Sequence, residues 1–441
     1  MGFLNLKLPR RGDKAKAASS PGRVRWVIVT TLFLSTVLNY INRQTFSVLS
    51  PMIAMRFHLS HTALARILGS FQISYALTWL LGGILLDIVG ARLGLALAVV
   101  LWSTVNVLTG LANSVSAFVL SRLALGVGEG MNWPGASKTV AEWFPDDERS
   151  VAVAIFDSGS SVGATLAVLT IPWIALKFGW RWSFVFSGLL GYLWLFVWLR
   201  NYHPLDRHPR VTQEERSFIR AGQQLASHSR DRGTQRWLRL AKDRNVWAIV
   251  LGRALTDPIW WFYVFWLPQY LSDAHGFSLK RIALFGWLPF VAADLGNFTG
   301  GLISGYCIRR GMDVISARRW VCAVSCIPML LGIAVARVQS PYVSLALISG
   351  ALWGYASWAT MGLTLPSDLF PQDVVATVTG LSGLAAGLAG AALTFVVGFL
   401  VDRFSYVPAF TIAGILPLVA TAALFLFIRS PNSRSSVGLE G

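Results

Sequence analysis

The chain has 441 residues, 54% hydrophobic and 13% charged, about half the ~25% charged fraction usual in soluble domains, so a soluble globular fold fits poorly. Lys and Arg outnumber Asp and Glu by 38 to 21, and a net charge of +17 points to nucleic acid, an anionic membrane surface or membrane topology until the charges are placed. Cys307, Cys322 and Cys326 lie in apolar stretches at spacings that suit neither a disulfide framework nor a zinc site, and read as small packing residues.

Crossing a ~30 Å hydrocarbon core takes ~20 mostly apolar residues. Twelve such runs are expected, over 26–48, 64–86, 93–112, 116–138, 150–172, 182–200, 246–271, 282–306, 317–336, 342–364, 375–400 and 407–428. They lack the dyad alternation of a barrel, and hydrocarbon offers backbone groups no water partners, so an all-α membrane protein is expected. The domains are then a basic tail (1–25), a six-helix bundle (26–200), a central loop (201–245), a second six-helix bundle (246–428) and a short tail (429–441).

In chain order, the tail carries Lys7, Arg10, Arg11, Lys14, Lys16, Arg23 and Arg25 with no small-residue cleavage site before the first span, which reads as an uncleaved anchor. With both termini cytoplasmic, 27 of the 38 basic residues fall on the inner side, eight outside and three within spans. The positive-inside rule thus accounts for the charge balance without nucleic acid, and a multi-pass inner-membrane location is expected.

In the first span, LNYINRQT (38–45) holds Asn39, Tyr40, Asn42 and Arg43. A charge at midplane costs ~2.5–3.5 kcal/mol on insertion scales, so Arg43 calls for a partner, a watery cavity or a function. Its planar fork suits an anionic substrate, and the plain alternative is an arginine snorkelling to the interface. Tyr75 adds a hydroxyl in the second span. In the fourth, RLALGVGEGMNWPG (122–135) sets Arg122, Gly126 and Glu129 on one helix face. Burial disfavours a charged carboxylate and a neighbouring cation favours it, so Glu129 can exchange a proton as a cavity changes sides; a static Arg–Glu pair is the alternative.

The fifth span carries Asp157, Ser158, Ser160 and Ser161, although serines in spans often bond their own backbone. In the polar stretch from 201, Thr212, Glu214 and Glu215 predict a short helix start. The seventh span sets Arg253 and Asp257 one turn apart, then Pro258, then Trp260, Trp261 and Tyr263 as a rigid aromatic wall. Asp294 and Asn297 follow in the eighth. Ser357, Trp358, Ser367, Asp368 and the small-residue run GLSGLAAGLAGA (380–391) come from the tenth and eleventh, the last suiting close packing and rocking surfaces.

GGILLDIVGARLG (82–94) and GGLISGYCIRRGM (300–312) recur at an offset of 218, so the halves read as parallel repeats enclosing a midplane cavity. No phosphate-binding loop, metal-ligand cluster or nucleophilic constellation is present, and the six histidines fall outside the spans. No enzyme and no cofactor are expected; an ion gradient is the natural energy source.

GGILLDIVGAR (82–92) resembles the G-x-x-x-D-x-x-G-x-R loop of the major facilitator superfamily. The resemblance implies that Asp87 and Arg92 belong to an inner gate. RLALGVGEG, WFPDDERSVAVAIF (143–156), FGWRWSF (178–184), DPIWWFYVFWLPQYL and LPSDLFP (365–371) together resemble the anion:cation symporter family, with hexuronate and galactonate transporters the most similar members. That likeness implies proton-coupled uptake of a sugar acid, the partners being a small organic anion, protons and the bilayer; a monomer is expected, although the sequence leaves oligomeric state open. It implies Glu129 as the protonation site with Arg122 and Asp257 assisting, Arg43 on the carboxylate, and Tyr40 and Tyr75 on hydroxyls. Asn39, Trp260, Trp261 and Ser160 complete the substrate set. The family pattern reads N-Y-x-D-R where this chain has Asn42, so coupling runs through Glu129 alone, through Asp157, Asp257 or Asp294, or is absent. Sodium-driven or uncoupled transport, and a membrane sensor without net flux, are the rival readings.

Overall fold

The computed structural model describes residues 23–224, 240, 242–370 and 372–428; most of the basic tail, part of the central loop and the C-terminal tail lie outside the described residues. All regular elements among the described residues are helices. The first half contains α1 (Val24–Phe57), α2 (His61–Val89), α3 (Ala91–Thr109), α4 (Val115–Glu129), α5 (Asn132–Trp143), α6 (Asp146–Phe178) and α7 (Trp180–Asn201). After α8 (Gln213–Gln224) the second half follows: α9 (Arg244–His275), α10 (Leu279–Phe285), α11 (Leu288–Arg309), α12 (Val314–Met329), α13 (Gly332–Val335), α14 (Pro341–Leu369), α15 (Gln372–Arg403) and α16 (Tyr406–Phe427).

Caps mark where the apolar runs begin. Ser60 Oγ accepts the Ala63 N–H at 3.1 Å and Ser114 Oγ that of Ala117 at 3.2 Å, each satisfying a donor that the first turn leaves without a partner. Thr212 caps α8 in the same way through Glu215, at 3.2 Å. Gly90 and Gly179 turn α2 into α3 and α6 into α7 at φ +83° and +92°, where a Cβ would be strained. Near the termini, Arg25 bonds Glu148 of α6 at 2.7 Å and Glu215 of α8 at 3.3 Å, tying the central helix to the first bundle.

The fourth span is not the continuous helix expected over 116–138. It breaks at Gly130 and Met131, and α5 restarts at Asn132. Pro134 has no N–H to return to Gly130, and three glycines in five residues weaken the helix just before it. α9, by contrast, runs unbroken through Pro258 and Pro268.

Among the described residues, eight helical stretches are long and apolar enough by composition to cross a membrane: α1, α3, α6, α7, α10 with α11, α12 with α13, α15 and α16. The other four of the twelve crossing segments are α2, α4 with α5, α9 and α14. Tyr75 lies in α2, Arg122 and Glu129 in α4, Arg253 and Asp257 in α9, and Arg43 in α1.

Within each half the helices pack as neighbours, and across the halves α2 meets α15, α6 meets α10 and α11, and α1 meets α9. Advancing the start of α2, His61, by the repeat offset reaches Leu279, the start of α10. The seam between α2 and α15 is a wedge. A Cβ at Gly398 would lie 2.7 Å from the His61 carbonyl oxygen, at Gly387 2.8 Å from Ala76, and at Gly383 4.0 Å from Trp79; at Gly380 it would meet nothing within 4 Å. Along this seam the described packing is tight at the His61 end, opposite the termini, and loosens toward Gly380.

Candidate functional site

Arg43 sits on α1 with its side chain fully buried, facing α2 and α4. Its Nε donates to Glu129 Oε2 at 3.1 Å and its Nη2 to Asn39 Oδ1 at 2.9 Å, while Asn39 Nδ2 donates to the Glu129 carbonyl at 3.5 Å. Arg122, one face-step along α4, donates through Nη1 to the Arg43 carbonyl at 3.3 Å and stacks over Phe46. Glu129 thus pairs with Arg43, and Arg122 lies beside the pair on the Arg43 backbone, so two guanidinium groups and one carboxylate are buried together.

Arg43 Nη1, Arg122 Nε and Nη2, and Glu129 Oε1 have no protein partner despite full burial. Buried polar atoms without a hydrogen bond are rare and call for an explanation. Here the three arginine nitrogens are open donors and Glu129 Oε1 is an open acceptor.

Aromatic rings enclose the Arg43 guanidinium. Its central carbon lies 4.5 Å from the ring centres of Tyr40 and Tyr75, 5.0 Å from Phe71 and 5.1 Å from Trp261, distances at which ring quadrupoles attract a cation. Trp261 belongs to the second half, so the basket spans the seam. It continues through Trp133, 6.0 Å from Tyr40, and Trp79, 6.1 Å from Trp133. Trp133 Nε1 donates to Asp157 Oδ1 at 3.2 Å, and Trp260 stacks on Tyr355 at 5.8 Å.

Glycine makes the approach of α4 possible. A Cβ at Gly126 would meet the Phe71 carbonyl oxygen of α2 at 2.5 Å and the Tyr75 nitrogen at 2.9 Å, both backbone atoms with no freedom to yield. Gly126→Ala is expected to destabilise the fold by about 1–3 kcal/mol through overpacking. A thermal midpoint several degrees lower in detergent would show it, and an unchanged midpoint would contradict the close contact.

The structure brings Arg43, Asn39, Tyr40, Tyr75, Arg122, Glu129 and Trp261 together. Trp260 stacks on Tyr355 and meets Phe290 of the second half, and its side chain also reaches Tyr40. Arg253 and Asp257 form their own pair at 2.8 Å, held by Ser382 at 3.0 Å and separate from Glu129. Ser160 is half-buried on α6, whose Gly163 packs on Tyr40. Of the expected gate, Arg92 donates to the Leu199 carbonyl at 2.9 Å, and the Asp87 side chain lies outside the described residues. Asn42 points away from Arg43 into the first bundle, where its Oδ1 accepts from Asn106 Nδ2 at 3.0 Å.

Phe71, Trp79, Trp133 and Tyr355 belong to this region and were not singled out by sequence. Aromatics are too common in the spans for any one to stand out; a tryptophan beside the helix-breaking Pro134 was the available signal. Among the described residues no cluster of His, Cys, Asp and Glu is arranged to hold a metal.

An all-helical protein of twelve crossing segments in two repeated halves, with charged side chains buried at their seam, has the architecture of a membrane carrier. The chain belongs to the Major Facilitator Superfamily, which its sequence matches over residues 32–394, and it is a multi-pass membrane transporter and not an enzyme. The hexuronate transporter of Escherichia coli (strain K12) is 32% identical over 411 residues, covering 92% of this chain and 94% of that protein. The galacturonate transporter of Dickeya chrysanthemi is 31% identical over 333 residues, covering 74% and 95%. The solved structure of a bacterial homologue of the human lysosomal transporter Spinster, inward-facing and occupied, superposes with a TM-score of 0.75 at 19% identity, covering 93% of this chain and 99% of that one.

Proposed function

We propose that the protein imports a sugar acid anion of the hexuronate or aldonate class by proton symport, the two bundles rocking around the Arg43 site in alternating access across an inner membrane with both termini in the cytoplasm. The carrying observation is the Arg43–Glu129 pair, which leaves Nη1 of a fully buried arginine open inside an aromatic basket. The hexuronate and galacturonate specificities in the relatives' names support the substrate class.

Ionised Glu129 occupies one edge of the Arg43 fork. A proton on Glu129 removes that competitor and raises the net positive charge of the cluster, so the fork accepts a carboxylate in two parallel hydrogen bonds. Substrate and proton then favour each other's binding, and by linkage the preference is reciprocal. On this reading Tyr40 and Tyr75 meet sugar hydroxyls and Trp261 the apolar ring face, supported by their rings lying around the Arg43 guanidinium.

Uptake of labelled galacturonate into vesicles tests this reading: saturable accumulation under an inward proton gradient, abolished by a protonophore, is expected, and accumulation indifferent to the gradient refutes symport. Asn42 bears on the stoichiometry. Its neutral bond to Asn106 offers no exchangeable proton, so wild type is expected to move about one proton per anion, through Glu129. In Asn42→Asp the proton-to-substrate flux ratio is expected to rise toward two; an unchanged ratio would show that this position takes no part in coupling.

A further inference from the structure

On the face opposite the termini, His61 is gripped from two sides by the other half of the molecule. It is the first residue of α2, three positions ahead of the apolar span. Its Nε2 lies 2.8 Å from Asp273 Oδ2 at the end of α9, and its Nδ1 lies 2.8 Å from Asp402 Oδ1 at the end of α15. The backbone N–H groups of His61 and Thr62 also donate to Asp402, at 2.9 and 2.7 Å. Asp273 accepts further bonds from Tyr406 Oη at 2.7 Å and Gln269 Nε2 at 2.9 Å, and the imidazole lies against the Trp266 ring, 6.4 Å between centres.

Ionised carboxylates only accept hydrogen bonds, and a neutral imidazole has one donor and one lone pair. An imidazole with a carboxylate oxygen 2.8 Å from each nitrogen satisfies both contacts only as the doubly protonated cation. Asp273, Asp402, Tyr406, Gln269 and Trp266 all belong to the second half, so the His61 contacts with Asp273, Asp402 and Trp266 break if the halves part on this face, while Tyr406 and Gln269 stay on Asp273. The close approach of Gly398 to the His61 carbonyl sits beside the same cluster.

We propose that His61 is a second proton-binding site, separate from Glu129, whose protonation latches this face shut. The latch rests on the alternating-access reading and adds a control to it: in the proposed orientation this is the outer face, so external acid slows reopening of the empty carrier. The hydrogen bond to Asp273, opposed by burial and reinforced by Asp402, holds the His61 pKa above its usual value in the closed state. The closed state is therefore favoured fully below the ordinary histidine pKa of about 6.5, and the preference fades as pH rises through the raised value.

The test is a distance measurement without substrate. Spin labels are placed at exposed positions flanking the seam, Ser116→Cys in the first half and Gln339→Cys in the second, in a Cys307→Ser background reconstituted in nanodiscs. With His61 intact, the closed-to-open ratio is expected to fall about five- to tenfold from pH 5 to pH 8, the scale of one partly exposed charge-assisted hydrogen bond. His61→Gln is expected to flatten the response and His61→Arg to stay closed throughout. A flat response with His61 intact or a pH-responsive His61→Arg overturns the latch. Vesicle uptake is scored separately: a responsive distance with no galacturonate flux rejects the galacturonate symport reading while keeping the latch, and flux with a flat distance does the reverse.

Discussion

Arg43→Lys is expected to weaken galacturonate binding by about 10²-fold, roughly 3 kcal/mol, in a direct binding assay. Lysine keeps the charge, so electrostatic attraction alone does not predict so large a loss. What disappears is the fork. Arg43 uses Nε for Glu129 and Nη2 for Asn39 while keeping Nη1 open, three directions fixed by one plane. An ammonium offers a single point with rotatable donors and satisfies Glu129 only by withdrawing from the substrate. The four rings around the guanidinium are also spaced for a flat cation. A thermal midpoint within a few degrees of wild type would separate lost binding from lost folding, and an affinity within threefold of wild type would remove Arg43 from the carboxylate site.

Glu129→Gln is expected to abolish accumulation driven by a pH gradient, a loss of at least about tenfold in vesicle uptake, while exchange of labelled for unlabelled substrate continues. Glutamine has nearly the same shape and can still accept from Arg43, but its amide neither takes up nor releases a proton near neutrality. The variant therefore holds the Arg43 fork in one protonation-like state, and binding becomes independent of pH. Continued concentration of galacturonate under a proton gradient would show that coupling lies elsewhere, with Asp157, bonded to Trp133, and the Arg253–Asp257 pair the next places to look.

The number and order of crossing helices were legible because length and apolarity follow directly from the solvent the chain must cross. The break after Glu129 was hidden in an otherwise apolar run, although Pro134 announced it. For the site, composition singled out Arg43, Arg122 and Glu129 as charges in oil, and helical spacing placed Arg122 with Glu129. Which arginine meets the carboxylate depends on how α1 and α4 are rotated against each other, and no spacing within one helix carries that: the ion pair is Arg43–Glu129. Asn42 is next to Arg43 in the chain yet points about 100° away around the helix, into a different helix contact. His61, Asp273 and Asp402 escaped for another reason. Each lies at the end of a span, where charged residues are unremarkable, and only folding brings together positions 212 and 341 residues apart.

The amide pair Asn42–Asn106 sets a thermodynamic ceiling on the proposed cycle. One proton carried with one monoanion transfers no net charge, so the membrane voltage, worth about 2.3 kcal/mol per elementary charge per 100 mV, does no work on such a turnover. Accumulation would then stop at about tenfold for each unit of pH difference, since a factor of ten corresponds to about 1.4 kcal/mol. A relative with a titrating carboxylate at that position would draw on the voltage as well; on the proposed one-proton cycle, this chain would draw on acidity alone.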